Sequence, residues 1–387
     1  MNTKPKKIIP ILTTSVFCII IATFVLLNFF IASPDIIVSE RRPAAVRPSQ
    51  RNDFSNAIFM DSTFSGQFSD FASDSFVFRE QMRRVRAWMS FSVFRHADVG
   101  GLIFHPDYGI ASFVPMNERQ YELVAQQLTR FIDRHLTTQD LHFAIIPDKS
   151  YFTRFGNMGL DPHRGAEILG AGLPSRVNMI DLTTSLTVSD FYRTDLHWCQ
   201  TRLWDVMGTL SREIGFANPA PTPIIDVGYW HGVYYGQLAM PGIPQEPMQV
   251  HDVGNLFATY YRPAGLGLEP IPGPIYDFEN ERWGFPSIDP YNVFLRGPQP
   301  LIRIETGNNT GRNLYVFRDS FGSSIAPLLA LSESYDQIVL IDFRYIVGSH
   351  LMGEEVDFEF SDDADVLFLY SSLVLNDAAL FNVGYRD

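Results

Sequence analysis

Asp195, His197 and Ser320 supply the residue types that turn a serine hydroxyl into a nucleophile, and they sit in two short segments far apart in the chain. These are Thr194-Asp195-Leu196-His197-Trp198 and Phe317-Arg318-Asp319-Ser320-Phe321-Gly322. A serine hydroxyl is a poor nucleophile at neutral pH, so it needs a general base, usually a histidine oriented by a carboxylate. One residue separates Asp195 from His197, which places the two side chains on the same side of an extended segment. The carboxylate would then hold one ring nitrogen, leaving the other to accept the Ser320 proton. Each segment alone has an ordinary reading: a surface Asp with a His packed on Trp198, and a helix cap at Asp319-Ser320. Only their conjunction points to chemistry.

Around this core the sequence offers auxiliary groups. The backbone N–H groups of Ser320 and Gly322, at a helix start, are expected donors to a developing oxyanion, with the Asn308 side chain as a third. Trp198 and Tyr235 belong to a set of aromatics, with Tyr229, Trp230, Tyr234 and Trp283, whose faces would suit sugar rings if they are not simply core. Metal chemistry is the rival reading for Asp195, His197, His231, His251 and Asp252, but no His-x-x-x-His or Cys pair accompanies them, so no metal site is expected. The glycines of 265–273 lack the strand before them and the Lys-Ser/Thr pair of a phosphate loop. Cys199 reads as a small buried hydrophobe.

Alternating apolar strands and amphipathic helices must position these groups. A helix is expected over 118–136, with Tyr121, Val124, Leu128, Phe131 and Ile132 on one face, and a strand over 141–146 that is apolar almost throughout, as for a strand covered on both faces. A strand at 178–182 and a helix at 200–214 follow. The C-terminal third repeats the pattern: strand 314–317, helix 323–331, and strands 337–343 and 366–370. This grammar predicts an α/β fold with a mostly parallel sheet and helices on both faces, where loops leaving the carboxyl ends of strands build the site. Ser320 follows such a strand directly. Residues 218–311, rich in Pro, Gly and aromatics, read as a loop-rich insertion with short strands, folded over the sheet.

The 387-residue chain has a formal net charge of −13, which argues against nucleic acid as a partner. Residues 8–31 form an uncharged apolar run behind Lys4, Lys6 and Lys7, long enough to cross a bilayer. An uncleaved anchor is the preferred reading over a signal peptide, since neither a short apolar core nor an Ala-x-Ala-like site is evident. The lysines favour a cytoplasmic N-terminus at 1–7, a transmembrane anchor at 8–31, a juxtamembrane linker at 32–64 and an extracytoplasmic domain at 65–387.

The chain resembles the DHHW family of exported bacterial proteins, relatives of the alginate O-acetylation proteins with an SGNH-hydrolase-like domain. Six segments carry the resemblance in the family's order: Phe76-Val77-Phe78-Arg79, Ile146-Pro147-Asp148-Lys149-Ser150, Thr194-Asp195-Leu196-His197-Trp198, Tyr291-Asn292-Val293-Phe294-Leu295, Arg318-Asp319-Ser320-Phe321 and Ile341-Asp342-Phe343-Arg344-Tyr345. Leu196 stands where the family name implies His, and Arg318 where Gly or Lys commonly precedes Asp-Ser, a departure that would alter the cleft's charge. The resemblance implies a three-layer α/β/α SGNH-hydrolase-like domain in which Ser320, His197 and Asp195 match the family's triad. With the anchor and the aromatics, it leads to the expectation of a membrane-anchored O-acetyltransferase acting on an exopolysaccharide or cell-envelope glycan. No diffusible cofactor is required, and a multispanning membrane acyltransferase would supply the acetyl groups. A glycan acetylesterase and a non-catalytic glycan-binding or scaffold protein are the alternatives.

Overall fold

The computed structural model describes residues 8–30, 33–46, 62–153, 155–264, 267–279, 281–282, 285–286, 289–353, 356, 358–381 and 383–384. The N-terminal segment 1–7, the linker residues 47–61 and Trp283 lie outside the described residues. The chain divides into two compact units, 1–99 with 235–243, and 100–234 with 244–387.

In the first unit, helix α1 (Ile8–Phe30) contains an apolar stretch, Pro10–Asn28, long enough to cross a membrane. A short hairpin, β1 (Ile36–Ile37) with β2 (Arg42–Pro43), precedes α2 (Ser62–Asp74) and α3 (Arg79–Trp88). Part of the expected linker is therefore ordered by charge. Arg42 forks onto both Asp74 carboxylate oxygens at 2.7 Å, and Arg79 reaches Glu40 at 2.6 Å. The Arg42 hydrogen bond is the main reason that the Asp74 carboxyl falls to about 2, against the opposing effect of burial.

The second unit is built on an eight-stranded sheet of order β10-β9-β13-β15-β14-β16-β5-β6. Ahead of it, β3 (Leu102–His105) and β4 (Gly109–Ser112) form a hairpin, and α4 (Glu118–His135) leads into β5 (Asp140–Ile146). Helix α5 (Pro162–Gly172), β6 (Val177–Asp181) and α6 (Trp204–Ile214) follow. A second hairpin pairs β7 (Ile224–Trp230) with β8 (Glu246–His251); the short helix α7 (Val233–Leu238) between them in sequence falls mostly in the first unit. Then come β9 (Phe257–Ala264), β10 (Gly267–Pro274), the short pair β11 (Glu281–Arg282) and β12 (Phe285–Pro286), and β13 (Leu301–Glu305). The chain closes with β14 (Asn313–Arg318), α8 (Phe321–Leu329), β15 (Gln337–Ile341) and β16 (Ala364–Ser371).

Strands β15, β14, β16, β5 and β6 run parallel, and β13, β9 and β10 extend that sheet antiparallel. The 218–311 region thus adds strands to the sheet edge, in place of the expected insertion folded over the sheet. Its Tyr260 and Ile302 alternate inward as in any half-buried strand, a period that the surrounding Pro and Gly obscure. Strand alternation divides the core in two. Leu314, Val316, Leu367 and Leu369 face α6 and α8, while Tyr315, Phe317, Val366 and Phe368 face α4 and α5. The result is the three-layer α/β/α arrangement expected from the alternating elements.

Candidate active site

Ser320 lies one residue beyond Asp319 in the turn between β14 and α8, at the N-cap position of that helix. Asp319 fixes the turn: its Oδ1 accepts the Phe321 N–H at 3.0 Å and its Oδ2 the Ser371 N–H at 2.8 Å. The second bond ties the loop to the end of the neighbouring strand β16. The Ser320 side chain emerges at the positive end of α8, where the helix dipole favours negative charge.

His197 arrives from a separate loop between β6 and α6. Its Nε2 lies 2.8 Å from Ser320 Oγ and its Nδ1 2.6 Å from Asp195 Oδ1. The Asp195 carboxylate also accepts the His197 N–H at 3.1 Å on Oδ1 and the Val233 N–H at 2.8 Å on Oδ2. Asp195 is fully buried, and Tyr291 stacks on the imidazole with centroids 3.8 Å apart and planes 9° from parallel. Tyr291 is held in turn by its hydroxyl, which donates to Ser324 Oγ at 3.0 Å. A buried carboxylate beside Nδ1 fixes the tautomer that leaves Nε2 free to accept a proton, so the chain of three can take the proton of Ser320 and return it.

The histidine loop is held by groups whose type and spacing assign them no role in the sequence. Glu246, on β8, accepts the N–H groups of Arg193 and Thr194 at 2.6 and 2.7 Å, and also the Thr194 hydroxyl. Thr194 Oγ1 in turn accepts the Gly232 N–H at 2.7 Å. At Gly232 a Cβ would fall 2.3 Å from both Thr194 O and Asp195 Cβ, so only glycine permits this approach. Lys149, 1% exposed, donates to the carbonyls of Ile110, Tyr192 and Arg193 at 2.6, 2.7 and 3.2 Å. Burial lowers its pKa to about 8, against the pull of Glu246, Asp195 and Asp148. A Pro-Asp-Lys run at the end of a buried strand was visible in the sequence. Nothing there linked Glu246 to position 194.

The auxiliary groups expected from the sequence are mostly placed elsewhere. The Gly322 N–H donates to the Asp319 carbonyl at 3.2 Å, which closes the turn and removes it as an oxyanion donor. Glycine is needed at 322 because a Cβ would meet Arg318 Cβ at 2.6 Å. Asn308 precedes β14, at the opposite end of that strand from Ser320, and donates to the carbonyls of Ser332 and Tyr335 at 3.0 and 2.9 Å. Arg318 is 1% exposed, turned into the core, and donates to Ser323 Oγ at 2.9 Å, so it organises the start of α8 and charges no cleft. Trp198 is fully buried, with its indole N–H donating to Phe321 O and Ser324 Oγ, and Trp230 and Tyr234 are buried too. Their large apolar area goes to the core, as it usually does. Tyr229 stays exposed. Tyr235 belongs to the first unit. Burial pushes the Cys199 thiol well above its ordinary value, so it lacks the thiolate a nucleophile requires. Among the described residues no cluster of ligating side chains could hold a metal ion.

Sheet order, strand-end loops and the two-sided helical cover define a three-layer α/β protein with its candidate site at the carboxyl ends of the parallel strands. Its fold is similar to that of a DHHW family protein from Eubacterium siraeum DSM 15702, at 16% identity over 74% of this chain and 95% of that one, with a TM-score of 0.59. It is also similar to Bacillus cereus PatB1, solved with a sulfonyl adduct, at 17% identity over 73% of this chain and all of that one, with a TM-score of 0.51. The resemblance carried by the six sequence segments is thus borne out by a solved member of the DHHW family at the level of fold. No family profile and no curated protein sequence matches the chain.

Proposed function

We propose that the protein is a membrane-anchored, extracytoplasmic O-acetyltransferase that modifies an exopolysaccharide or cell-envelope glycan through Ser320, His197 and Asp195. The observation that carries this reading is the continuous Asp195–His197–Ser320 hydrogen-bond chain at 2.6 and 2.8 Å, ending on a partly exposed serine at a helix start. His197 Nε2 takes the proton as Ser320 Oγ attacks the acetyl carbonyl, and the Ser320 N–H and the positive end of α8 stabilise the tetrahedral oxyanion. Collapse expels the donor's leaving group, which takes the proton from His197 and leaves acetyl-serine. In the second half a sugar hydroxyl gives its proton to His197 and attacks the ester, so the acetyl group passes to the sugar and Ser320 recovers its proton. Asp195 holds the imidazole and stabilises its charged form in both halves. The anchor α1 would keep the site beside a multispanning acyltransferase that delivers acetyl groups.

The test uses p-nitrophenyl acetate as donor and intact mass as readout. One acetyl group should appear on the wild type and not on Ser320→Ala, and turnover should fall by at least ~10³-fold in the variant. Transfer of the acetyl group to added oligosaccharides marks the transferase, while release to water alone marks an acetylesterase. Absence of both labelling and turnover, with the fold intact, would refute the nucleophile.

A further inference from the structure

Helix α3 presents to solvent a face that the fold leaves uncovered. Met82, Val85 and Trp88 are 48, 53 and 49% exposed, Met89 and Val93 of the following π-helical turn are 37 and 53% exposed, and Phe94, which caps that turn, is 58% exposed. At roughly 100° per residue Met82, Val85, Trp88 and Met89 fall in one stripe. Arg84 borders it on one side and Arg86 on the other, both exposed, while Ala87 and Ser90 turn inward. Segment 79–95 holds five arginines and one glutamate in a chain whose net charge is −13. An apolar stripe edged by arginines is what an interfacial helix uses, with aliphatic and indole groups among the acyl chains and guanidinium groups snorkelling to phosphates.

Position in the unit says what covers it. The last turn of the apolar stretch of α1 is joined to the segment that starts α3. Phe24 stacks on Phe76 at 5.8 Å and meets Phe78 edge-on at 6.3 Å, and Asn28 Oδ1 accepts the Val77 N–H at 2.9 Å. Helix α3 begins at Arg79, two residues later. A membrane spanned by Pro10–Asn28 therefore has its surface at the start of α3. We infer that α3 and the turn after it lie in the headgroup zone of an anionic lipid leaflet, making a second membrane contact at the exit of the anchor. The inference rests on the anchor reading of α1.

The test is the full chain in nanodiscs containing phosphatidylglycerol, prepared with and without brominated acyl chains, in wild type and Trp88→Phe. Bromine quenches indole fluorescence only on contact, and Trp198 and Trp230 are buried. The expected result is a quenched component in the wild type that Trp88→Phe lacks, diminished when phosphatidylcholine replaces phosphatidylglycerol. A chain that enters nanodiscs but shows the same quenching with and without Trp88 overturns the inference and leaves the face for a protein partner. Equal quenching in phosphatidylcholine alone overturns the role given to the arginines. A chain that does not enter nanodiscs refutes the anchor itself.

Discussion

Replacing Asp195 by Asn removes one charge without changing shape, and the surrounding hydrogen bonds leave the new amide two orientations, each with a defect. Oδ1 accepts from the His197 backbone N–H and from Nδ1, and Oδ2 accepts from the Val233 N–H. With the amide oxygen at Oδ1, the histidine keeps its tautomer but the amide NH₂ faces the Val233 N–H, leaving a buried donor unpaired at a cost of about 1–3 kcal/mol. With the amide flipped, Val233 is satisfied, but NH₂ opposes the His197 N–H and drives Nδ1 to accept, which puts a proton on Nε2 and abolishes the base. Both arrangements also lose the carboxylate that stabilises imidazolium, since a neutral acceptor gives roughly half the hydrogen-bond strength of a charged one. The combined loss should approach the ~10⁴-fold seen when the triad carboxylate of a serine protease is changed in this way. The assay is the rate of covalent labelling by phenylmethylsulfonyl fluoride, followed by intact mass, which needs no acetyl donor and has Ser320→Ala as its blank. Labelling of Asp195→Asn within about threefold of wild type, well short of one decade in rate, would refute the assigned role.

Gly232→Ala forces a methyl against the Thr194 carbonyl and Asp195 Cβ, and should cost about 1–3 kcal/mol in denaturant unfolding and lower sulfonyl labelling by ~10²-fold; unchanged labelling would show that the loop yields without moving His197. Cys199 should resist iodoacetamide at pH 8 in the folded chain and react after denaturation, read by peptide mass, because burial holds the thiol protonated. Lys149 has a folded pKa of about 8 against an ordinary 10.5. Between those values the unfolded chain keeps a proton that the folded chain sheds, so this group makes folding more favourable as pH rises, by at most ~1.4 kcal/mol per unit. The stability difference between wild type and Lys149→Met should therefore grow from pH 8 to 10, and a flat difference in urea unfolding would refute the assignment.

Much of this architecture could be read from local pattern. Strand β5 is a continuous apolar run because both faces are covered, and α4 carries an apolar stripe because only one of its faces is, so each declared itself by period. The meeting of His197 with Ser320 was legible only as a conjunction of residue types, because nothing local determines that the loop after β6 and the loop after β14 open at the same sheet edge. That depends on strand order, which places β5 and β16 between them. The Asn308 donor failed for a related reason. Asn308 and Ser320 are close in sequence, but a whole strand separates them, and β14 carries them to its opposite ends.

The support around His197 was the least legible part because it is paired across long sequence distances. A buried carboxylate is tolerable only where its oxygens are satisfied, and Glu246 meets that condition through two backbone N–H groups and a hydroxyl of the histidine loop. The dependence runs both ways. Without Glu246 the loop would bury unpaired N–H groups, and without the loop Glu246 would be a buried, unpaired charge. Lys149 stands in the same relation to the carbonyls of Tyr192 and Arg193. An acidic and a basic side chain therefore hold opposite polar groups of one short backbone stretch, fixing its path just before Asp195. A single short loop can present a histidine to a serine beyond another strand because most of its own backbone polar groups are engaged before Asp195 and His197 are reached.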